Sequence, residues 1–195
     1  MHHSLRRQAA FAMLAALILA APPFSMAGED AEDAAAAHML QAEIALNGDD
    51  YLQAVTGYRK AAEQSESAEI ARQATRMAFD YGFNDEALRA AKRWLKLDPD
   101  SDDALLHLGQ AQLREGDMRD ARKSFKKLIG RGRQPAEQRI YSLVAFLSEE
   151  DPKRADELMR ALTRPYGDSA LAQYSAAAVA LQADDTEFAM ERTQR

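Results

Sequence analysis

The sequence has no cysteine among its 195 residues, and glycine and proline are scarce, with 9 and 6 residues. The missing thiols exclude disulfides, thiolate metal sites and cysteine catalysis. With 47% hydrophobic residues, the composition also excludes a disordered or collagen-like chain. Alanine is abundant and β-branched residues are few, which favours helix. The net charge of -6 argues against nucleic acid as a partner, because attraction to phosphates needs positive charge.

Residues 1–27 have the pattern of a signal peptide. Two arginines precede an apolar run from Ala9 to Ala21, and Ser25 and Ala27 put small residues at positions -3 and -1 of a cleavage site. The run is shorter than the ~20 residues that span a bilayer. We therefore expect export to the periplasm, with a retained anchor as the alternative. No cysteine follows this run to accept a lipid. Association with the outer membrane stays open, but without a lipid anchor. Residues 28–37 are predicted to be an acidic tether.

Small residues recur at a fixed interval along the rest of the chain. The interval is 34 residues, and the positions are Ala87, Ala121, Ala155 and Ala189, with Gly82 and Gly116 spaced alike. A helix–turn–helix period of this length is typical of tetratricopeptide repeats. Small side chains let paired helices approach within ~8–10 Å, so these alanines are predicted to lie buried at helix crossings. Gly109 is expected to face Ala121, and Gly116 to end its helix in the left-handed conformation.

These patterns predict an all-α fold, a right-handed solenoid over residues 38–195 with about five repeats. The fifth repeat stops inside its second helix at Arg195, so we expect the chain to be the first part of a longer solenoid. The predicted helix pairs are His38–Asn47 with Tyr51–Gln64, Ala68–Tyr81 with Asp85–Leu97, Asp102–Glu115 with Met118–Ile129, Ala136–Ser148 with Pro152–Leu162, and Ser169–Gln182 with a helix from Thr186 onward.

The acidic run from Asp98 to Asp103 invites a metal-binding interpretation. A calcium loop needs glycine at its sixth position and glutamate at its twelfth, which here are Asp103 and Gly109. Both requirements fail. Pro99 ends a helix and Ser101 is a good N-cap for the next one, so the run is predicted to separate two helices.

No catalytic motif is present in the sequence. HExxH, Gly-x-Ser-x-Gly and the Walker loop are all missing, and "GRGR" at 130–133 has no following lysine to hold phosphate. His38 and His107 have no second ligand nearby in sequence. We therefore predict a chain that is not an enzyme, with no catalytic residues, no metal and no cofactor.

Part of the sequence resembles a family of proteobacterial cell-envelope tetratricopeptide proteins, from about Gln41 to the end. The residues that carry the resemblance are Tyr58, Ala61, Ala62, Ile70, Ala71, Ala74, Thr75, Ala91, Trp94, Leu97 and Pro99. That family includes an outer-membrane lipoprotein, and the resemblance implies an adaptor for a periplasmic carboxy-terminal processing protease. This sequence departs from that lipoprotein because it lacks the cysteine to which a lipid is attached.

A partner is expected on the concave wall, which first helices line in tetratricopeptide solenoids. The groove positions carried over from such repeats are Arg72, Arg76, Phe79, Leu106, Gln110, Arg114, Ile140, Val144, Leu147 and Tyr174. This wall would change from charged in the second repeat to apolar in the fourth and fifth. The alternative is that the apolar members pack inside the solenoid. The lysine and asparagines of the known carboxylate clamp are missing, because Glu137, Arg76 and His107 take their places.

The function predicted from these observations is a periplasmic scaffold or adaptor that binds another envelope protein. A periplasmic protease or its substrate is the expected partner. The alternative is an assembly factor for pili, secretion or polysaccharide export. Lys123, Lys126 and Lys127 belong to a basic helix face, for which a solvated surface and a peripheral membrane contact both stay open.

Overall fold

The computed structural model describes residues 26–193, and every regular element in that range is helical. The predicted all-α class is thereby confirmed. The helices are α1 Met26–Asn47, α2 Tyr51–Gln64, α3 Ala68–Asp80, α4 Asn84–Leu97, α5 Asp102–Arg114, α6 Met118–Ile129, α7 Ala136–Leu147, α8 Pro152–Thr163, α9 Ala170–Gln182 and α10 Thr186–Thr193, with a 3-10 turn at Arg164–Tyr166. The predicted signal peptide lies outside the described residues except for its last two, which begin α1.

Consecutive helices form hairpins, in which α1 packs on α2, α3 on α4, α5 on α6, and α9 on α10. Each hairpin also packs on the next along the chain, which is the arrangement of a helical-repeat solenoid. The predicted bounds of α2 and α6 are confirmed, and those from α3 to α9 agree within one residue at each end. None of the helices between residues 26 and 193 has the length and apolarity to cross a membrane.

The first helix corrects the prediction of a tether over residues 28–37. This segment is helical, and α1 begins at Met26 rather than near His38. Ala35 is buried, and the carboxylate of Glu32 accepts hydrogen bonds from Ser65 Oγ at 3.1 Å and from the backbone N–H of Glu66 at 3.2 Å. The acidic segment is therefore ordered by α2, because alanines between the acids supply a small packing face.

The alanines of the 34-residue interval lie buried where the two helices of a repeat meet. Ala87, Ala121 and Ala155 have no exposed surface, as predicted. The nearest side chain to Gly109 is Phe125, on the same face of α6 as Ala121. A Cβ on Gly109 would lie 2.8 Å from Cε2 of Phe125, so this glycine makes room for an aromatic ring one turn beyond Ala121.

The turns inside the repeats depend on residues that accept positive φ. Gly82 and Gly116 have φ of 76° and 84°, as their positions predicted, and Asp49 and Asp184 take the left-handed conformation in the first and fifth repeats. Between repeats, Ser101 caps α5 by accepting a hydrogen bond from the backbone N–H of Ala104 at 3.0 Å. The acidic run around Ser101 is therefore the start of a helix, as predicted.

Candidate binding surface

Three of the predicted groove residues are not available to a partner. Ile140 and Leu147 are fully buried in the core formed by the third, fourth and fifth repeats. Gln110 is 7% exposed, and its Nε2 donates to the carboxylate of Glu150. The alternative of packing inside the solenoid is therefore correct for the two aliphatic residues, because α7 turns that face into the core that it shares with α6, α8 and α9.

In the second repeat, Arg72 and Arg76 are accessible, as predicted. Arg72 Nε donates to Glu69 at 2.7 Å, and this hydrogen bond lowers the pKa of Glu69 and raises that of Arg72. Arg76 is exposed, and no side chain in the described part of the chain pairs with it. The wall here carries Arg72, which is paired with Glu69, and Arg76, which forms no ion pair among the described residues. Arg76 acts on Glu69 only through its charge and remains available to an acidic partner.

The next part of the surface is an aromatic and cationic cluster between the second and third repeats. The ring of His107 lies 5.8 Å from that of Phe79 and 5.5 Å from that of Trp94. The guanidinium of Arg114 lies 5.1 Å from the Phe79 ring centre, within range of a cation–π contact. Phe79 and Arg114 are half-buried and contact each other, so only part of each side chain is accessible to a partner.

Glu150 organises this region and was missed by the groove assignment. Its nearly buried carboxylate accepts hydrogen bonds from Arg114 Nε at 2.7 Å, Arg114 Nη2 at 2.9 Å and Gln110 Nε2 at 2.7 Å. The 34-residue alignment contained a signal, because Glu150 occupies the place of Gly82 and Gly116. A charged residue at a position where the other repeats have glycine indicates that this turn makes additional contacts. Here Glu150 links the fourth repeat to Gln110 and Arg114 of the third.

Two tyrosines form the apolar part of the surface in the last repeats. Tyr141 and Tyr174 are 47% and 55% exposed, and their ring centres lie 6.0 Å apart. Val144 is half-buried against the core beside them. Tyr174 was predicted, whereas Tyr141 was missed because the assigned groove face of α7 was displaced by one residue, to Ile140.

A pocket of about 270 Å³ opens between α5, the end of α6, and α7, and we call it the interrepeat pocket. Its apolar lining includes the predicted residue Leu106 together with Leu128, Ile129, Leu143 and Phe146. Its polar rim includes Asp102, Asp103 and Ser142. An open apolar cavity with a few polar groups at its rim is the usual form of a recognition site.

The pocket exists because the third repeat ends early. Helix α6 has 12 residues where α4 has 14, and the connection that follows, residues 130–135, separates α7 from α6. Gly132 has a φ of 87°, and a Cβ there would collide with the guanidinium of Arg139. Arg139 Nη2 in turn donates to Asp102 at 2.8 Å. The segment "GRGR" is therefore an inter-repeat turn, and Gly132 leaves room for the guanidinium of Arg139 at the pocket rim.

The basic face of α6 is exposed to solvent. Lys123 pairs with Asp120 at 2.9 Å, and this hydrogen bond lowers the pKa of Asp120. Lys126 and Lys127 are exposed and have no acidic partner within residues 26–193. A membrane contact through these lysines stays a prediction.

The family comparison matches a model described as tetratricopeptide repeat over residues 78–145. This segment extends from the end of α3 to α7, and so contains the third repeat and the buried alanines at 87 and 121. The same helix–turn–helix spacing continues on both sides of the matched segment. No curated protein sequence matches the chain.

Among solved structures, this chain is similar to MamA 41-end from Desulfovibrio magneticus RS-1, with 17% identity over 83% of this chain and 92% of that one, at a TM-score of 0.45. It is also similar to YrrB, described as a TPR protein with an unusual peptide-binding site, with 19% identity over 89% of this chain and 90% of that one, at a TM-score of 0.44. At these identities and TM-scores, the likenesses say nothing about what this chain binds.

Proposed function

We propose that this chain is a periplasmic scaffold that binds another envelope protein through the exposed side chains of α3, α5, α7 and α9, which we call the first-helix wall. The observation that supports the proposal best is the interrepeat pocket, because an open apolar cavity on this wall can receive one large side chain of a partner. Binding without catalysis of its own is part of the proposal.

The pocket can anchor a partner but cannot hold it alone. Burying one large apolar side chain contributes ~1.5–3 kcal/mol, whereas micromolar affinity needs about 8 kcal/mol. The remainder has to come from neighbouring apolar contacts, and Tyr141 and Tyr174 supply exposed aromatic surface on the same wall. We therefore propose an extended partner segment with one bulky apolar residue for the pocket and further apolar residues towards the tyrosines.

Charge along the wall suggests the direction of that segment. Arg76 offers an unpaired cation at the second repeat, whereas Asp102, at the pocket rim, is already paired with Arg139 and lies 3.7 Å from Arg131. Acidic residues of the partner would lie towards Arg76. Such charges steer association more than they hold a complex together.

The location and the class of partner rest on the sequence. The signal-peptide pattern supports export, and the family resemblance suggests a carboxy-terminal processing protease, or a protein delivered to it, as the partner. If the partner instead comes from a pilus, secretion or polysaccharide-export system, the chain is an assembly factor that uses the same surface.

A pull-down from envelope extract followed by mass spectrometry identifies the partner, and surface plasmon resonance then tests the pocket. Ser142→Trp places an indole at the rim and should weaken binding about tenfold or more by filling the cavity. Ser148→Trp is the matched control, because both serines are exposed and each donates to the carbonyl three residues earlier, at 2.7 and 2.6 Å. Equal affinity of the two variants would exclude the pocket as the anchor.

A further inference from the structure

A second cavity, of about 280 Å³, lies between α8, α9 and α10, and every charged side chain that lines it is an arginine. We call it the arginine cavity. Arg160, Arg164 and Arg192 contribute to its wall, together with the ring of Phe188 and the amide of Gln173. The chain as a whole is acidic, so three arginines around one opening are a local concentration of positive charge.

One of the three arginines is neutralised by its neighbours. Arg160 Nε lies 2.8 Å from Asp156 Oδ2, and its Nη2 lies 2.6 Å from Asp185 Oδ2. Its guanidinium also lies 3.4 Å from the centre of the Phe188 ring. These contacts hold the Arg160 side chain in place as part of the cavity wall. Neither aspartate lines the cavity itself.

The other two arginines have no carboxylate partner within the described residues. Arg192 donates to Gln173 Oε1 at 3.2 Å and lies 4.6 Å from the Phe188 ring centre, but its Nε is buried without a hydrogen-bond partner. The side chain of Arg164 makes no hydrogen bond or ion pair in that part of the chain, and the residue is exposed. A buried guanidinium donor without an acceptor is costly. Arg192 and Arg164 both line the cavity, so an anion there meets two guanidiniums that no carboxylate of the described residues neutralises.

We propose that the arginine cavity binds a peptide carboxylate, with Arg192 and Arg164 as its donors. A planar guanidinium matches a carboxylate through two parallel hydrogen bonds, which favours this group over a compact cation or a neutral amide. The carboxylate comes from the end of a peptide or from an acidic side chain, and Phe188 provides an apolar surface for the carbon atoms next to it. The positions differ from those of the known clamp, since they lie on second helices and the turn between repeats.

The test is a nuclear magnetic resonance titration that follows the Nε–Hε signals of the arginines, with Arg192→Lys used to assign the signal of Arg192. N-acetyl-leucine carries a terminal carboxylate, N-acetyl-glutamic acid α-amide carries only the side-chain carboxylate, and N-acetyl-leucine amide carries no charge. We expect the carboxylate probe of the correct source to shift the Arg192 signal with millimolar affinity, and the uncharged amide to leave it unchanged.

Arg164→Ala should weaken the carboxylate probe about tenfold, and Arg192→Lys should weaken it because the planar fork is lost. Arg119→Ala is the control, as Arg119 is an exposed arginine on α6. Circular dichroism checks that each variant is folded. The inference is overturned if Arg164→Ala binds like the control, if the amide shifts the same signals, or if inorganic phosphate binds more tightly than either carboxylate. Ser142→Trp alters only the interrepeat pocket, so failure of the proposed function would not be confused with failure of this site.

Discussion

Arg114 and Glu150 form a paired contact across the boundary between the third and fourth repeats, with Nε and Nη2 of the arginine 2.7 and 2.9 Å from the two carboxylate oxygens. The glutamate side chain is 2% exposed and the arginine side chain 27% exposed. Each residue also has a further role, since Gln110 donates to the same carboxylate and Arg114 lies over Phe79. The contact therefore joins the aromatic cluster to the turn that begins the second half of the fourth repeat.

Glu150→Ala should destabilise the protein by about 1–3 kcal/mol, because it leaves the donors of Gln110 and Arg114 without their acceptor in a poorly solvated place. Urea unfolding measures the change. Glu149→Ala is the matched control, since the neighbouring glutamate is exposed. The double variant Glu150→Ala with Arg114→Ala should lose less unfolding free energy than the sum of the losses in the two single variants. Equal stability of the two single variants would contradict the structural role of Glu150.

Ala121→Leu should destabilise the protein by ~1–3 kcal/mol, because a larger side chain at a closely packed helix crossing forces the helices apart. Ala121 has no exposed surface, whereas Ala145 on α7 is exposed, so Ala145→Leu is the control. Thermal unfolding measures both. If Ala121→Leu unfolds at the temperature of the unaltered protein, the crossing is not where the 34-residue interval places it.

Charge and apolar contact on the first-helix wall should affect different rate constants. Arg72→Glu with Arg76→Glu should mainly slow association with the captured partner and make it less sensitive to salt. Tyr141→Ala with Tyr174→Ala should mainly speed dissociation, because lost apolar contacts act on the bound state. Surface plasmon resonance separates the two effects, with Arg119→Glu as a charge control. If both pairs bind like the unaltered protein, the partner uses another surface, and the basic face of Lys126 and Lys127 is the next one to test.

Tyr58 should make stability depend on pH in the alkaline range. Burial first, and then its hydrogen bond to Glu43, raise the pKa of Tyr58 to about 12 from the model-compound value of 10.0. Folding therefore favours the neutral phenol, so the stability it contributes is present below pH 10 and is lost as the pH rises through about 12. Tyr58→Phe should remove this part of the pH dependence, and Tyr174→Phe should not. Urea unfolding at several alkaline pH values measures it, and parallel profiles for all three proteins would contradict the assignment.

Much of the fold follows from local features of the sequence. The 34-residue interval, the glycines at 82 and 116 and the cap at Ser101 predicted where helices begin and end, because each of these signals acts within a few residues. The burial of Ala87, Ala121 and Ala155 also follows from the interval, since small residues are needed wherever paired helices cross.

Only the tertiary structure decided which side chains on those helices are free. The rotation of α7 depends on the length of α6 and on the connection 130–135, and that rotation buries Ile140 while exposing Tyr141. The partners of Glu150 lie 36 and 40 residues earlier in the chain, beyond the reach of any local pattern. Helical periodicity determines that one face of a helix is apolar, but the packing of neighbouring repeats determines which part of that face remains for a partner, because a one-residue change in register moves a side chain about 100° around the helix axis.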